Sequence, residues 1–210
     1  MLIGSTLVEG STLTEAQAKT VLTGRTLLGH SVSEVRELLN YRGATEWIMK
    51  EFEKSPYLSE DLILNFHKQL FQGFAHQGGK YKTSNNFTYR SNGSLFEYLH
   101  PAKVRGAIQE WLKTFNREFE GVSKSLLKKN ISEEAAHLYY EFQFIHPFQD
   151  GNGRIGRLLL AYWLHWKFQF SFKFFFKDKL EHLNSLEKAN VGDFSGLQIF
   201  FFKRIKVKKS

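Results

Sequence analysis

Residues 146–157 read HPFQDGNGRIGR, directly ahead of the apolar run LLLAYWL at 158–164. Pro147 disfavours helical geometry at His146, so the preceding helix ends there and presents an imidazole at its tip. Histidine titrates near neutrality and suits a general base acting on a hydroxyl. Phe148 anchors the loop in the core, and Asp150 offers the hard oxygen that Mg²⁺ accepts. Gly151 and Gly153 remove Cβ atoms that would keep a phosphate from backbone amides. The helix that follows points its unsatisfied N–H groups and positive dipole end at the same spot. Asn152 adds an amide donor. Arg154 and Arg157 are three apart, neighbours on one helix face, and present guanidinium forks to phosphate oxygens. A lone histidine before proline is usually structural, and a lone GNG usually a turn. Together these residues describe a base, a cation ligand, an anion nest and two charge clamps in one loop, which is a nucleotidyl- or phosphoryl-transfer site.

Outward from the loop, most of the chain has helical periodicity. Leu158 onward is apolar on nearly every side, marking a central helix. Before the loop, a helix capped by Ser132 turns Ala135, Leu138, Tyr139 and Phe142 inward, and one after Pro101 buries Val104, Ile108, Trp111, Leu112, Phe115 and Phe119. Ser59 caps a helix carrying Leu62, Ile63, Phe66, Leu70 and Phe74. Val35, Leu38, Leu39, Arg42, Trp47 to Met49 and Phe52 mark another. Residues 78–94, GGKYKTSNNFTYRSNGS, read as a hairpin or extended flap turning at Asn92-Gly93. The expected fold is all-α with one β-flap. FQFSFKFFF, from Phe168, alternates with strand period between two helices and is expected to be a loop packing its rings into the core, a partner surface being the alternative.

The chain has 210 residues, 42% apolar and 24% charged, enough for one well-buried domain. With no cysteine, disulfides and thiolate metal sites are excluded. The N-terminus MLIGSTLVEG lacks the features of a signal peptide and no apolar run spans a bilayer, so the expectation is a soluble, cytoplasmic protein without membrane contact. Of a net charge of +8, Lys203, Arg204, Lys206, Lys208 and Lys209 contribute five, and they read as a solvated tail over 203–210. That weakens a nucleic-acid reading.

The loop resembles the Fic signature HPFx(D/E)GNGRxxR at every specified position. GKYKTSNNF at 79–87 resembles the family's target-holding flap, and KANVGD at 188–193 its motif bordering the nucleotide through Asn190. The resemblance implies transfer of AMP from ATP to a Ser, Thr or Tyr hydroxyl of a target protein lying along residues 79–94. His146 would take the proton, and Asp150 would hold Mg²⁺. Gly151, Asn152, Gly153 and Arg154 would cradle the α- and β-phosphates, and Arg157 would grip the γ-phosphate. The Doc-like kinase branch has lysine where this chain has Gly153. Self-association is also implied. The chain departs from the family in having His182 and Leu183 where tyrosines are frequent, and a phenylalanine-rich stretch in place of a proline-containing loop.

Residues 5–10, Ser5 to Gly10, alone read as a helical turn, followed by a helix start with Thr12 and Glu15 as capping box. Beside the loop they resemble the inhibitory motif (S/T)xxxE(G/N) of class II members, with Ser5, Glu9 and Gly10 at its defined positions. Residues 1–30 would then be inhibitory and linker helices ahead of a catalytic domain over 31–202, and Glu9 would occupy Arg157. The alternatives are removal of AMP, with Glu9 orienting a water, and a basic nucleic-acid-binding protein without catalysis.

Overall fold

The computed structural model describes residues 14–25, 29–74, 78–120, 128–172, 174 and 176–207. Ser5, Glu9, Gly10 and Thr12 lie outside them. Among the described residues are eight helices and two small antiparallel strand pairs, in agreement with an all-α expectation carrying a short hairpin.

Each early helix starts on a cap. Helix α1 (Glu15–Leu22) has Thr14 as N-cap and Gln17 completing the box, so the box sits two residues beyond the expected Thr12–Glu15 pair. α1 buries Ala18 and Val21 against Leu38 of helix α2 (Val32–Lys54), and Arg42 of α2 donates to the Leu22 carbonyl at 2.8 Å. Ser31 and Glu34 box the start of α2. Ser59 caps α3 (Glu60–Leu70) as expected, accepting from Leu62 N–H at 3.1 Å. Strands β1 (Phe87–Tyr89) and β2 (Leu95–Glu97) form the hairpin, with Thr88 opposite Phe96. Gly93 takes φ +79° at its turn, which glycine adopts without steric cost.

Helix α4 (Pro101–Glu120) begins on proline, whose missing N–H costs nothing in a first turn. Helix α5 (Lys128–Ile145) begins four residues before Ser132, which is buried and bonds back to the Lys128 carbonyl at 2.9 Å. Ser132 is therefore an interior residue and not a cap. Helix α6 (Asn152–Phe168) is buried along most of its length, as its all-round apolarity predicts. α5 and α6 meet closely at Gly156, where a Cβ would fall 3.2 Å from a Phe142 ring carbon.

The phenylalanine-rich stretch is a strand where a loop was expected. β3 (Phe170–Phe172) pairs with β4 (Ile205–Val207), with Phe172 opposite Ile205. Phe172 and Phe174 are buried in the core, while Phe168 and Phe170 pack partly buried against it. A 3-10 turn (Phe176–Asp178) then leads to α7 (Lys179–Ala189) and α8 (Ser195–Arg204). Residues 203–207, expected within a solvated basic tail, instead finish α8 and form β4. Arg204 pairs with Asp178 at 2.8 Å and with Glu181 at 2.6 Å. No described helix is long and apolar enough to cross a membrane.

Candidate active site

The loop between α5 and α6 is held rigidly from inside. His146 follows the last turn of α5, its N–H donating to the Phe142 carbonyl at 3.1 Å. It takes φ +47°, uncommon for a side-chain-bearing residue, as the chain turns into Pro147. Its Nδ1 lies 3.1 Å from the Gln143 carbonyl, and its ring stacks on Tyr98 at 3.8 Å and 17°. With Nδ1–H donating to Gln143, the lone pair sits on Nε2.

Asn152 pins the loop back on itself. Its Oδ1 accepts from Phe148 N–H at 2.9 Å, and its Nδ2 donates to the Phe148 carbonyl at 2.8 Å. The side-chain amide expected to face a phosphate is thus turned to the loop backbone. Gly151, at φ +82°, is the N-cap of α6 and brings no side-chain cap. The first-turn N–H groups of this 17-residue helix have no intrahelical acceptor. A Cβ on Gly151 would meet a Phe71 ring carbon at 2.9 Å, so glycine is needed twice over.

Both arginines are buried to 2% exposure. Arg154 forms an ion pair with Glu37 of α2 and lies 3.4 Å from the Asp150 carboxylate, with Phe71 beneath its guanidinium. Its Nε is buried without a hydrogen-bond partner among the described residues. Arg157 sits over the Phe174 ring at 5.2 Å and faces His182. Burial, then the charges of Arg157 and Arg204, push the His182 imidazole down to about 3, with Asp178 opposing. Both ring nitrogens of His182 are without a hydrogen-bond partner among the described residues, and the ring lies among those of Tyr139, Phe174 and Phe200. Leu183 is exposed. The Asp150 side chain is exposed, its Oδ1 accepting from Gly151 N–H at 2.5 Å. Asn190 is the half-buried C-cap of α7, and no hydrogen bond joins it to residues 146–157 among the described residues.

The hairpin's leading segment is laced to this loop. Lys82 N–H donates to the Pro147 carbonyl at 2.9 Å, Ser84 to the Gln149 side chain at 3.0 Å, and Asn86 Nδ2 to the carbonyls of Phe148 and Gln149. Lys82 is buried, and its Nζ donates to the Ile145 carbonyl at 3.4 Å, at the negative end of α5. Burial draws its ammonium down to about 8. Beyond these bonds, β1 runs exposed, with Phe87 and Tyr89 outward. His67 stacks on Phe148 at 3.9 Å, and burial lowers its imidazole to about 4. Sequence reasoning missed Glu37, His67, Lys82, Tyr98 and Gln143. Only Lys82 sat in a stretch already singled out, and a charged residue there gives no sign of its burial.

The sequence model of the Fic/DOC family matches residues 57–164. This chain is 28% identical over 198 residues to the protein adenylyltransferase Fic of Nematostella vectensis, covering 90% of this chain and 42% of that one. It is 29% identical over 161 residues to the protein adenylyltransferase fic-1 of Caenorhabditis elegans, covering 73% and 29%. The chain therefore spans less than half the length of these curated relatives. Among solved structures, it is similar to a Fic domain containing signaling protein from Bacteroides thetaiotaomicron, at TM-score 0.85 and 28% identity, over 97% of this chain and 80% of that one. Fic-1 of C. elegans shares the fold at TM-score 0.80 and 23% identity, over 97% and 58%.

Proposed function

Because the chain belongs to the Fic/DOC family, we propose that it is an autoinhibited protein adenylyltransferase, moving AMP from ATP to a Ser, Thr or Tyr hydroxyl of a target protein. The observation that carries this reading is the start of α6. There, a helix N-terminus without a side-chain cap and two buried arginines in its first turns follow, five residues on, a histidine held by the Gln143 carbonyl. Such a place binds a polyphosphate and removes a proton. The curated relatives named protein adenylyltransferase support the choice of AMP as the transferred group.

In this reading the target hydroxyl, on a segment aligned along β1 within residues 79–94, gives its proton to Nε2 of His146. Its oxygen forms a bond to the α-phosphorus as the bond to the leaving pyrophosphate breaks. The amides at Asn152 and Gly153, that of Gly151 once Asp150 releases it, and Arg154 steady the charge on the α- and β-phosphate oxygens, and the unpartnered Nε of Arg154 supports that role. Arg157 holds the γ-phosphate, and Asn190 borders the base. Asp150 suits Mg²⁺: its carboxylate is exposed beside the N-terminus of α6, and Mg²⁺ commonly rests on one or two carboxylates, substrate phosphates and water. When bound, it would neutralise phosphate charge.

Glu9, with Ser5 and Gly10, would restrain Arg157 until displaced. The test is transfer of label from ATP marked at the α-phosphate, read as automodification. Glu9→Gly should raise transfer at least tenfold, roughly the effect of freeing one charge-assisted pair. His146→Ala in the same background should abolish it. Equal labelling of all three chains would refute both roles, and loss of AMP from a modified target only when Glu9 is present would turn the reading toward removal.

A further inference from the structure

His67, on the inner face of α3, uses both ring nitrogens at once. Gly79 N–H donates to Nδ1 at 2.8 Å, and Nε2 lies 3.2 Å from the Asp150 carbonyl. Accepting at Nδ1 requires a lone pair there, so the ring proton is on Nε2 and donates to Asp150. A single neutral tautomer serves both bonds. The ring cannot pivot, because it lies flat on Phe148 at 6° and is 5% exposed.

The two segments it joins are the ones the reaction must bring together. Gly79 starts the stretch that leads to β1, and Asp150 precedes the N-terminus of α6. The approach at Gly79 is close: a Cβ on Gly78 would stand 2.7 Å from Lys68 Cα, and Gly79 takes φ +83°. The chain is pressed onto α3 where His67 can reach it, and a Cβ on Gly151 would fall 3.6 Å from the His67 ring. The bonds of Ser84 and Asn86 then carry the same register onward along the loop.

We propose that His67 is a positioning residue that fixes the distance between the target-holding segment and the phosphate-holding loop. This rests on the adenylyl-transfer reading above. His67 touches neither substrate. It sets where the hydroxyl, carried by one segment, meets the α-phosphate, carried by the other. The loop also has its own brace, Asn152 on Phe148, so loss of the His67 bonds shifts the two segments relative to each other more than it deforms the phosphate site.

Three variants divide the ring's contributions. Phe keeps the stack on Phe148 and loses both bonds. Asn places an acceptor near Nδ1 for Gly79, and Gln places a donor near Nε2 for Asp150. In the Glu9→Gly chain, His67→Phe should lower label transfer at saturating ATP on the order of 100-fold, the scale of a misplacement of about 1 Å. Affinity for Mg-ATP, measured by calorimetry, should fall much less than transfer, since the loop keeps its shape through Asn152 on Phe148. His67→Asn and His67→Gln should fall between, and they stand in for Phe if it fails to fold. Transfer within about threefold of the parent, or ATP affinity falling in step with transfer, would overturn the proposal. Hydrogen exchange of the Gly79 amide is read in the same variants and does not depend on transfer. Exposure in Phe and Gln with protection restored in Asn supports the clamp even if Glu9→Gly labels nothing, in which case the adenylyl-transfer reading alone has failed. Equal protection in all three overturns it.

Discussion

Asn152→Ala removes one small side chain and strands a buried turn. In the native loop, Phe148 N–H donates to Asn152 Oδ1 at 2.9 Å and the Phe148 carbonyl accepts from Nδ2 at 2.8 Å. Phe148 is fully buried, so water cannot replace the amide. The carbonyl keeps a second donor, Asn86 Nδ2 at 3.2 Å, whereas the N–H is left with nothing. An orphaned buried N–H costs about 1–3 kcal/mol and a lost but replaceable bond about 0.5–1.5, so the loss should be roughly 2–4 kcal/mol. Asn152→Asp keeps the acceptor for Phe148 N–H but buries a charge and sets a carboxylate oxygen where Nδ2 now donates to the Phe148 carbonyl, so it should cost at least as much as Ala. Urea unfolding followed by far-ultraviolet circular dichroism measures both. Either variant within about 0.5 kcal/mol of the parent would show that the amide does not hold the loop.

Two further outcomes follow from buried charge. The folded-state value of about 3 for His182 lies below its ordinary 6.5, so the unfolded chain takes up the proton first. Its contribution to stability is complete above pH 6.5 and is lost as pH falls toward 3, with a slope of up to about 1.4 kcal/mol per unit. His182→Leu should flatten that part of the urea-derived stability profile relative to the parent, and parallel profiles would contradict it. Glu37→Gln withdraws the charge opposing Arg154 from a partner only 30% exposed, and should cost about 1–2 kcal/mol in thermal unfolding, discounted from the fully buried case. If Arg154 takes a phosphate oxygen as proposed, Glu37 competes for the guanidinium, and calorimetric binding of Mg-ATP should tighten in the same variant. Weaker binding would make Glu37 a support for Arg154 and not its competitor.

The parts read correctly from sequence are those whose signals are local. Ser59 caps a helix because its hydroxyl acts three residues on, Pro101 opens one, and Asn92-Gly93 turns a hairpin. The loop stood out because a histidine, glycines and arginines are contiguous. What failed depends on distance. The strand period of Phe168 to Phe174 was visible, but its partner, Ile205–Val207, lies more than thirty residues away, and nothing in either stretch names the other. The same pairing turns residues that looked like a free basic end into structure. Ser132 looked like a cap because serine often is, yet inside a helix it can bond to the preceding turn instead. Glu37 and His67 carry no motif, since a single charged or titratable residue on an amphipathic helix reads the same whether it faces solvent or a guanidinium.

The ion pair between Glu37 and Arg154 also bears on how the site can be carried away from its surroundings. The family match begins at residue 57 and ends at 164, and a piece cut to those bounds would keep every residue of the loop. It would discard Glu37 ahead of the match, and Phe174 and His182 behind it, so neither arginine would retain its native neighbourhood. The recognisable segment is therefore shorter than the transplantable one. A graft of this loop onto another scaffold must bring a carboxylate from an upstream helix and an aromatic ring from the downstream segment after β3, or find substitutes for both.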